Sequence, residues 1–224
     1  MQDLLAPQAQ TALAQLSMGD LLALAAALGW ASGVRLYLVV FLTGACAYMQ
    51  WLPFDLPTGL LVLQHPLMLV ASFSMLCVEF LADKIPGFDS LWDMLNALIR
   101  VPAGAALAAG VFGADSATMA TAAALMGGSL AAASFTTKAA TRLAVNTSPE
   151  PLSNIGLSFL EDGLVVGVLW FATAHPILLG VALALILAAS ALLLWVLARF
   201  LRAFWRRMRA FFGAPATASS KELA

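Results

Sequence analysis

The sequence predicts an all-α, polytopic membrane helix bundle of about six transmembrane helices, with an internal helical-hairpin repeat. Three observations predict it: an apolar composition, six apolar segments of spanning length, and identities that recur at an offset of 62 residues. Of the 224 residues 62% are hydrophobic and only 10% are charged, and mean hydropathy is +0.93. Soluble domains carry about 25% charged residues, so this chain cannot clothe a globule of its size with a solvated surface. Soluble enzymes, nucleic-acid binders and disordered chains are excluded together.

A spanning helix needs about 20 apolar residues, and the segments that supply them are punctuated by Pro, Gly, Asn and Asp. Residues 1–19 read as a short cytoplasmic segment, and Met1-Gln2-Asp3-Leu4 lacks the cationic start of a secretory signal. Helix one is expected over 20–48, longer than a bilayer requires. Gly29, Ser32 and Gly33 in Gly29-Trp30-Ala31-Ser32-Gly33 mark either a break or a close helix contact just before Arg35. Helix two, 66–83, starts at Pro66, and helix three, 89–112, is capped by Asp89 or Ser90. Helix four, 116–146, carries Gly127-Gly128, and helix five, 153–172, takes Ser153 as its cap. Helix six, 176–198, starts at Pro176, proline being well suited to a first helical position.

Beyond the last span, Arg199, Arg202, Arg206 and Arg209 recur on one face and Phe200, Phe204, Met208 and Phe211 on another. Residues 199–213 therefore read as a cationic amphipathic helix at the interface, attracting anionic lipid along Arg199–Arg209. Residues 214–224 read as a disordered tail. Cys46 and Cys77 lie in apolar runs and form no CxxC set. His65-Pro66 and His175-Pro176 read as interfacial helix starts, because neither His has a carboxylate or third ligand beside it. No metal site and no cofactor is expected.

Orientation follows from where Lys and Arg are missing. The loops 49–65, 113–115 and 173–175 contain none, whereas the other side holds Lys84 and the arginine cluster. The positive-inside rule then puts both termini in the cytoplasm. Ala71-Ser72-Phe73 recurs as Ala133-Ser134-Phe135 and Leu81-Ala82 as Leu143-Ala144. Residues 66–112 and 128–172 thus read as two copies of one hairpin, and repeats of this kind are common in transporters.

The informative residues are ionisable groups inside the spans: Arg35, Glu79, Arg100, Lys138, Arg142, Glu161 and Asp162. Each costs at least about 2.5–3.5 kcal/mol at a helix centre if it faces lipid, so the seven are expected to converge in a solvated cavity. In the first hairpin the acid descends and the base ascends; the second reverses this. Neutralisation is therefore expected across the interface between hairpins. Four bases against three acids leave a formal surplus of +1, which points to an anion or to proton shuttling through the carboxylates. In the loops facing the cytoplasm, Asp83, Lys84, Asp89, Asn146, Ser153 and Asn154 are candidate gate residues.

These polar positions carry a resemblance. Glu79-x3-Asp83-Lys84-x-Pro86-x2-Asp89-x2-Trp92, Arg100, Lys138-x3-Arg142, and Asn146-Thr147-Ser148-Pro149-Glu150-Pro151-x-Ser153-Asn154 with Glu161-Asp162 resemble an uncharacterised bacterial membrane family, domain of unknown function 4126. The resemblance covers residues 20–195 and implies a small multi-span protein of the bacterial inner membrane, without naming a reaction. Three functions follow as expectations. The first is a small transporter or channel for an anionic or zwitterionic solute, with Glu79, Glu161 and Asp162 carrying protons. The second is a protein that binds or moves an anionic lipid headgroup, and the third is a scaffold whose charges only lock the bundle. An enzyme is least supported, since no nucleophile and base pair is recognisable. The lipid bilayer and a small solute or headgroup are the expected partners, with self-association into a homo-oligomer open and no nucleic acid.

Overall fold

The computed structural model describes residues 16–82, 85, 88–113, 116–145 and 151–212. Among them every regular element is helical: α1 Met18–Tyr48, a 3-10 helix Thr58–Gln64, α2 Pro66–Ala82, α3 Phe88–Phe112, α4 Ala117–Val145, α5 Pro151–Ala174 and α6 Pro176–Phe212. Five helices are long and apolar enough to cross a membrane. A sixth crossing results if the 3-10 helix and α2, bent by 69° at their junction, count as one broken span. The protein is a multi-span membrane helix bundle.

Helix α1 is the hub. It packs against α2, α3, α4 and α5, and the tightest pair in the bundle is α3 on α4. Leu24, Leu28, Val34 and Val39 are buried along it together with Ala25, Ala27 and Ala31. A helix apolar all round is what a central position requires. Its start is fixed by a capping box, in which the Ser17 hydroxyl accepts from the Asp20 amide and Asp20 accepts from the Ser17 amide at 2.8 Å.

The glycines at 29 and 33 are helical. The only residue within α1 that leaves helical geometry is Arg35, at φ −145° and ψ 79°. The break expected at Gly29, Ser32 and Gly33 therefore lies just beyond them. The two glycines instead permit close contact: a Cβ at Gly29 would meet Gly127 Cα at 2.5 Å, and one at Gly33 would meet Ser134 Oγ at 2.0 Å and Ala131 O at 2.1 Å. Ser32 donates to the Leu28 carbonyl at 2.5 Å, one turn back within the helix. Small residues bring α1 and α4 together, as is common in membranes.

The segment 49–65, expected to be a plain outer loop, carries the 3-10 helix. Leu60 and Leu63, three apart and so on one side of such a helix, are buried with Leu56, and the helix packs on α1 and α3. Helix α2 is the shortest span, 17 residues, or about 25 Å. Helix α3 ends at Gly113, whose φ of +58° and hydrogen bond to the Ala109 carbonyl make a left-handed cap. Helices α3 and α5 begin at Phe88 and Pro151; the side chains expected as their caps, Asp89, Ser90 and Ser153, lie outside the described residues. Proline at the first helical position sets the start of α5, as at Pro66 and Pro176.

Helix α6 runs unbroken for 37 residues, about 55 Å against a hydrocarbon core of about 30 Å. The arginine segment continues the last span without a break. Leu179 and Leu183 anchor α6 on the bundle, while Arg199 stacks over Trp195 at 5.4 Å.

The expected duplication does not extend to packing. Ser72 and Ser134 are both buried. However, Gly104 lies against Ala131 Cβ, at 2.7 Å from an added Cβ, whereas its counterpart Gly167 has nothing within 4 Å among the described residues. Neither α2 with α3 nor α4 with α5 packs closely, and α2 scarcely touches α5. The two hairpins are splayed around α1, and a slot remains between α2 and α5.

Candidate functional site: an ion network at the break in α1

Seven ionisable residues predicted from sequence are joined in one network, and among the described residues an eighth, Asp93, belongs to it. Arg35 lies about 25 Å along α1 and is fully buried. Its Nε pairs with Asp162 Oδ1 at 2.9 Å and approaches Glu161 Oε2 at 3.7 Å. Its Nη2 donates to the hydroxyl of Ser158, which is buried on the same face of α5. Lys138 on α4 donates to the Val34 carbonyl at 3.0 Å, directly before the break. A side chain of one helix thus supplies a donor where the main chain of another leaves its ladder.

Glu161 gathers bases. Arg142 engages it through Nε to Oε1 at 3.3 Å and Nη2 to Oε2 at 3.0 Å, and Lys138 Nζ lies 3.3 Å from Oε2. The two-pronged contact with Arg142 is the stronger, because the planar guanidinium matches the carboxylate fork. On the other flank Arg100 pairs with Glu79 at 2.5 Å and with Asp93 at 2.8 Å, and Asp93 Oδ1 is also 3.3 Å from Lys138. The chain of charge runs from Asp162 through Arg35, Glu161, Lys138, Asp93 and Arg100 to Glu79, with Arg142 attached at Glu161. It draws on five helices.

Three sequence expectations change here. Pairing is chiefly within each hairpin, Glu79 with Arg100 and Arg142 with Glu161; the bridge between hairpins is Asp93 with Lys138. Among the described residues the formal balance is four bases against four acids, so the expected surplus of +1 is not seen there. The expected solvated cavity is a packed contact instead: Arg35, Glu79 and Arg100 are 0% exposed and Arg142 is 1% exposed. Direct pairs are favoured once this many charges leave water, since an unpaired one costs several kcal/mol. Asp162 is the exception, its side chain 26% exposed.

Sequence reading missed Asp93, Asn96, Tyr37 and Ser158. Asn96 accepts from the Tyr37 hydroxyl at 2.9 Å and donates to the Trp92 carbonyl at 2.9 Å. Asp93, Asn96 and Arg100 stand at i, i+3 and i+7, one face of α3, and that spacing was the available signal. Ser134, Lys138 and Arg142 form the matching stripe on α4, and all three are buried. Of the gate candidates, Asp83, Lys84 and Asn146 lie outside the described residues, as do the side chains of Asp89, Ser153 and Asn154. Among the described residues no group of three or more His, Cys, Asp and Glu could hold a metal ion. His65 Nδ1 accepts from the Leu67 amide at 3.2 Å, a local cap at the start of α2. Cys46 and Cys77 are free thiols.

Comparison with known proteins places the bundle and its charges within one family's domain. The model of the family described as domain of unknown function 4126 matches residues 22–198. The chain belongs to that family. The match takes in α1 to α5 and nearly all of the membrane part of α6, so every member of the ion network falls within the family's domain. No curated protein and no solved structure matches the chain.

Proposed function

We propose that this family member is a membrane transporter of a small solute, in which the ion network is the element that rearranges. The observation that carries the reading is the interruption of α1 at Arg35, in the middle of the network. A pair of charges is enough to fix helix register. Eight, drawn from five helices and centred on a main-chain break, cost far more than register requires, and intramembrane charges of this kind mark solute and proton paths. Glu161 lies within 3.0–3.7 Å of three bases. Neutralising its carboxylate therefore frees Arg35, Lys138 and Arg142 to change partners, which would shift α5 against α1 and α4. Glu79, Glu161 and Asp162 are the proton carriers in this reading. The proposal includes a bacterial inner-membrane location with both termini cytoplasmic for a count of six spans, and anionic lipid along Arg199–Arg209.

With Asp93 in the balance, the sum of the network no longer argues for an anionic cargo. The rival reading, a scaffold locked by its charges, is favoured by the direct contacts and near-complete burial. Water access separates the two. In a protein with Cys46 and Cys77 replaced by Ala, S158C introduces one thiol beside Arg35, where positive charge favours the reactive thiolate. A transporter exposes this site in part of its cycle, so a membrane-impermeant cationic methanethiosulfonate should label S158C in membrane vesicles. A folded protein that stays unlabelled from both sides of the membrane would contradict transport.

A further inference from the structure

The two halves of α1 run in opposite directions. Helices α3 and α4 are antiparallel, with Ala108 beside Gly127 and Gly104 beside Ala131. Before Arg35, α1 follows α4 in the same sense: Gly29 lies against Gly127 and Gly33 against Ala131 and Ser134, and the Val34 carbonyl accepts from Lys138. After Arg35 it follows α3 instead, the Tyr37 hydroxyl donating to Asn96 and Val40 sharing a groove with Ala103 and Leu107. A third helix gives the same answer. Leu24 and Cys46, which a straight helix would hold about 33 Å apart, line one pocket of about 250 Å³ with Val166, Leu169 and Trp170 of α5. Arg35 is the tip of a helical hairpin, and both arms lead from it towards the same end of the bundle.

We infer that α1 does not cross the membrane: it is a re-entrant hairpin that enters from the non-cytoplasmic face and returns to it, carrying Arg35 down to the ion network. A segment of this kind has to be enclosed by protein, and Leu24, Leu28, Val34 and Val39 are all buried. Charge assigns the face. Helix α2, with the 3-10 helix as its bent entry, and α3 to α6 make five crossings, so the two ends of the described chain lie on opposite faces. The arginines after residue 198 hold the C-terminal end in the cytoplasm. Residues 1–34 contain no Lys or Arg, just as the loops 49–65, 113–115 and 173–175 contain none, and that is the signature of the translocated side. A cytoplasmic N-terminal end belongs only to a six-span count in which α1 crosses. The pocket between the arms lies at the non-cytoplasmic face, beside Trp51 and Phe54, and Val166 in its wall stands one turn from Asp162. Solute therefore reaches the network from that face, between the arms and α5; this last step rests on the transport reading, whereas the hairpin does not.

Side-specific labelling of the full chain in intact bacterial cells tests it. In protein with Cys46 and Cys77 replaced by Ala, T11C and L24C should be modified by a membrane-impermeant methanethiosulfonate without permeabilisation, whereas S219C should require it. Six crossings would put T11C on the side of S219C, so labelling of T11C only after permeabilisation overturns the inference. An L24C that stays unlabelled while T11C is labelled overturns the path between the arms. A second measurement does not depend on sidedness. C77A protein carrying L24C retains Cys46, and a short bismaleimide should join the two thiols within one chain, read as loss of both sites for a polyethylene-glycol maleimide gel shift. A straight α1 forbids that join, and two thiols that each react singly but never together overturn the hairpin. Neither measurement uses S158C, so the hairpin can fail while transport stands, and the reverse.

Discussion

Glu79 and Arg100 face each other at 2.5 Å with no exposure to solvent, and the environment of each differs once its partner is gone. In E79A, Arg100 keeps Asp93; in R100A, two carboxylates, Glu79 and Asp93, lose their shared cation. Removing one member of a buried pair typically costs about 3–5 kcal/mol, and R100A should be the worse of the two. Thermal unfolding in detergent, followed by loss of monodisperse protein, should show both single variants less stable than wild type, R100A most. Equal stability of R100A and wild type would mean that the pair is not buried as described. The charges themselves were legible in the sequence, because Arg35, Glu79, Arg100, Lys138, Arg142, Glu161 and Asp162 each stand out against apolar runs. Asp93 was not. It lies five residues into α3, next to a turn rich in Asp, Ser and Pro, and its polarity reads as loop chemistry until the spacing to Asn96 and Arg100 is laid on a helix.

Whole elements were legible to the extent that hydropathy and proline mark them. Pro66 and Pro176 open α2 and α6, and the apolar stretches end within a few residues of the helices observed. The 3-10 helix was hidden because Thr58–Gln64 is too short and too uniformly apolar to show a period. The break in α1 was displaced for a similar reason. Glycine reads equally as a hinge or as a contact, and only the neighbouring α4 decides which. At Gly33 the contact is so close that G33A must push α1 away from Ser134 and Ala131. G33A should therefore destabilise by more than about 2 kcal/mol, as overpacking of a tight interface does. G167A, with nothing within 4 Å among the described residues, should be neutral or stabilising by up to about 1 kcal/mol from helix propensity. Detergent melting curves for the pair check this, and similar curves for both would contradict the α1–α4 contact.

Across the whole molecule, α1 is wrapped by four helices while α6 leans on the outside, and the hairpins spread far enough apart to leave the slot at α2 and α5. Such packing is not readable from one chain of apolar residues, since every face of an alanine- and leucine-rich helix looks equally suited to a neighbour. The charge pattern did foretell that the helices share a centre, though not that its described members balance four acids with four bases. With four acids and four bases in direct contact, the network can be dismantled pairwise without leaving a net charge. Well-packed apolar side chains of similar volume often replace a buried ion pair with no loss of stability.

That property separates holding the bundle together from moving it. The decisive measurement is labelling of S158C by an impermeant thiol reagent in protein that also carries E79L and R100M, an apolar substitute for one pair of the network. Asp93 retains Lys138 at 3.3 Å, so the variant should fold and melt near the parent. If the network is the rearranging element, labelling should fall to the level of a protein without cysteine; labelling at the parent rate would contradict it.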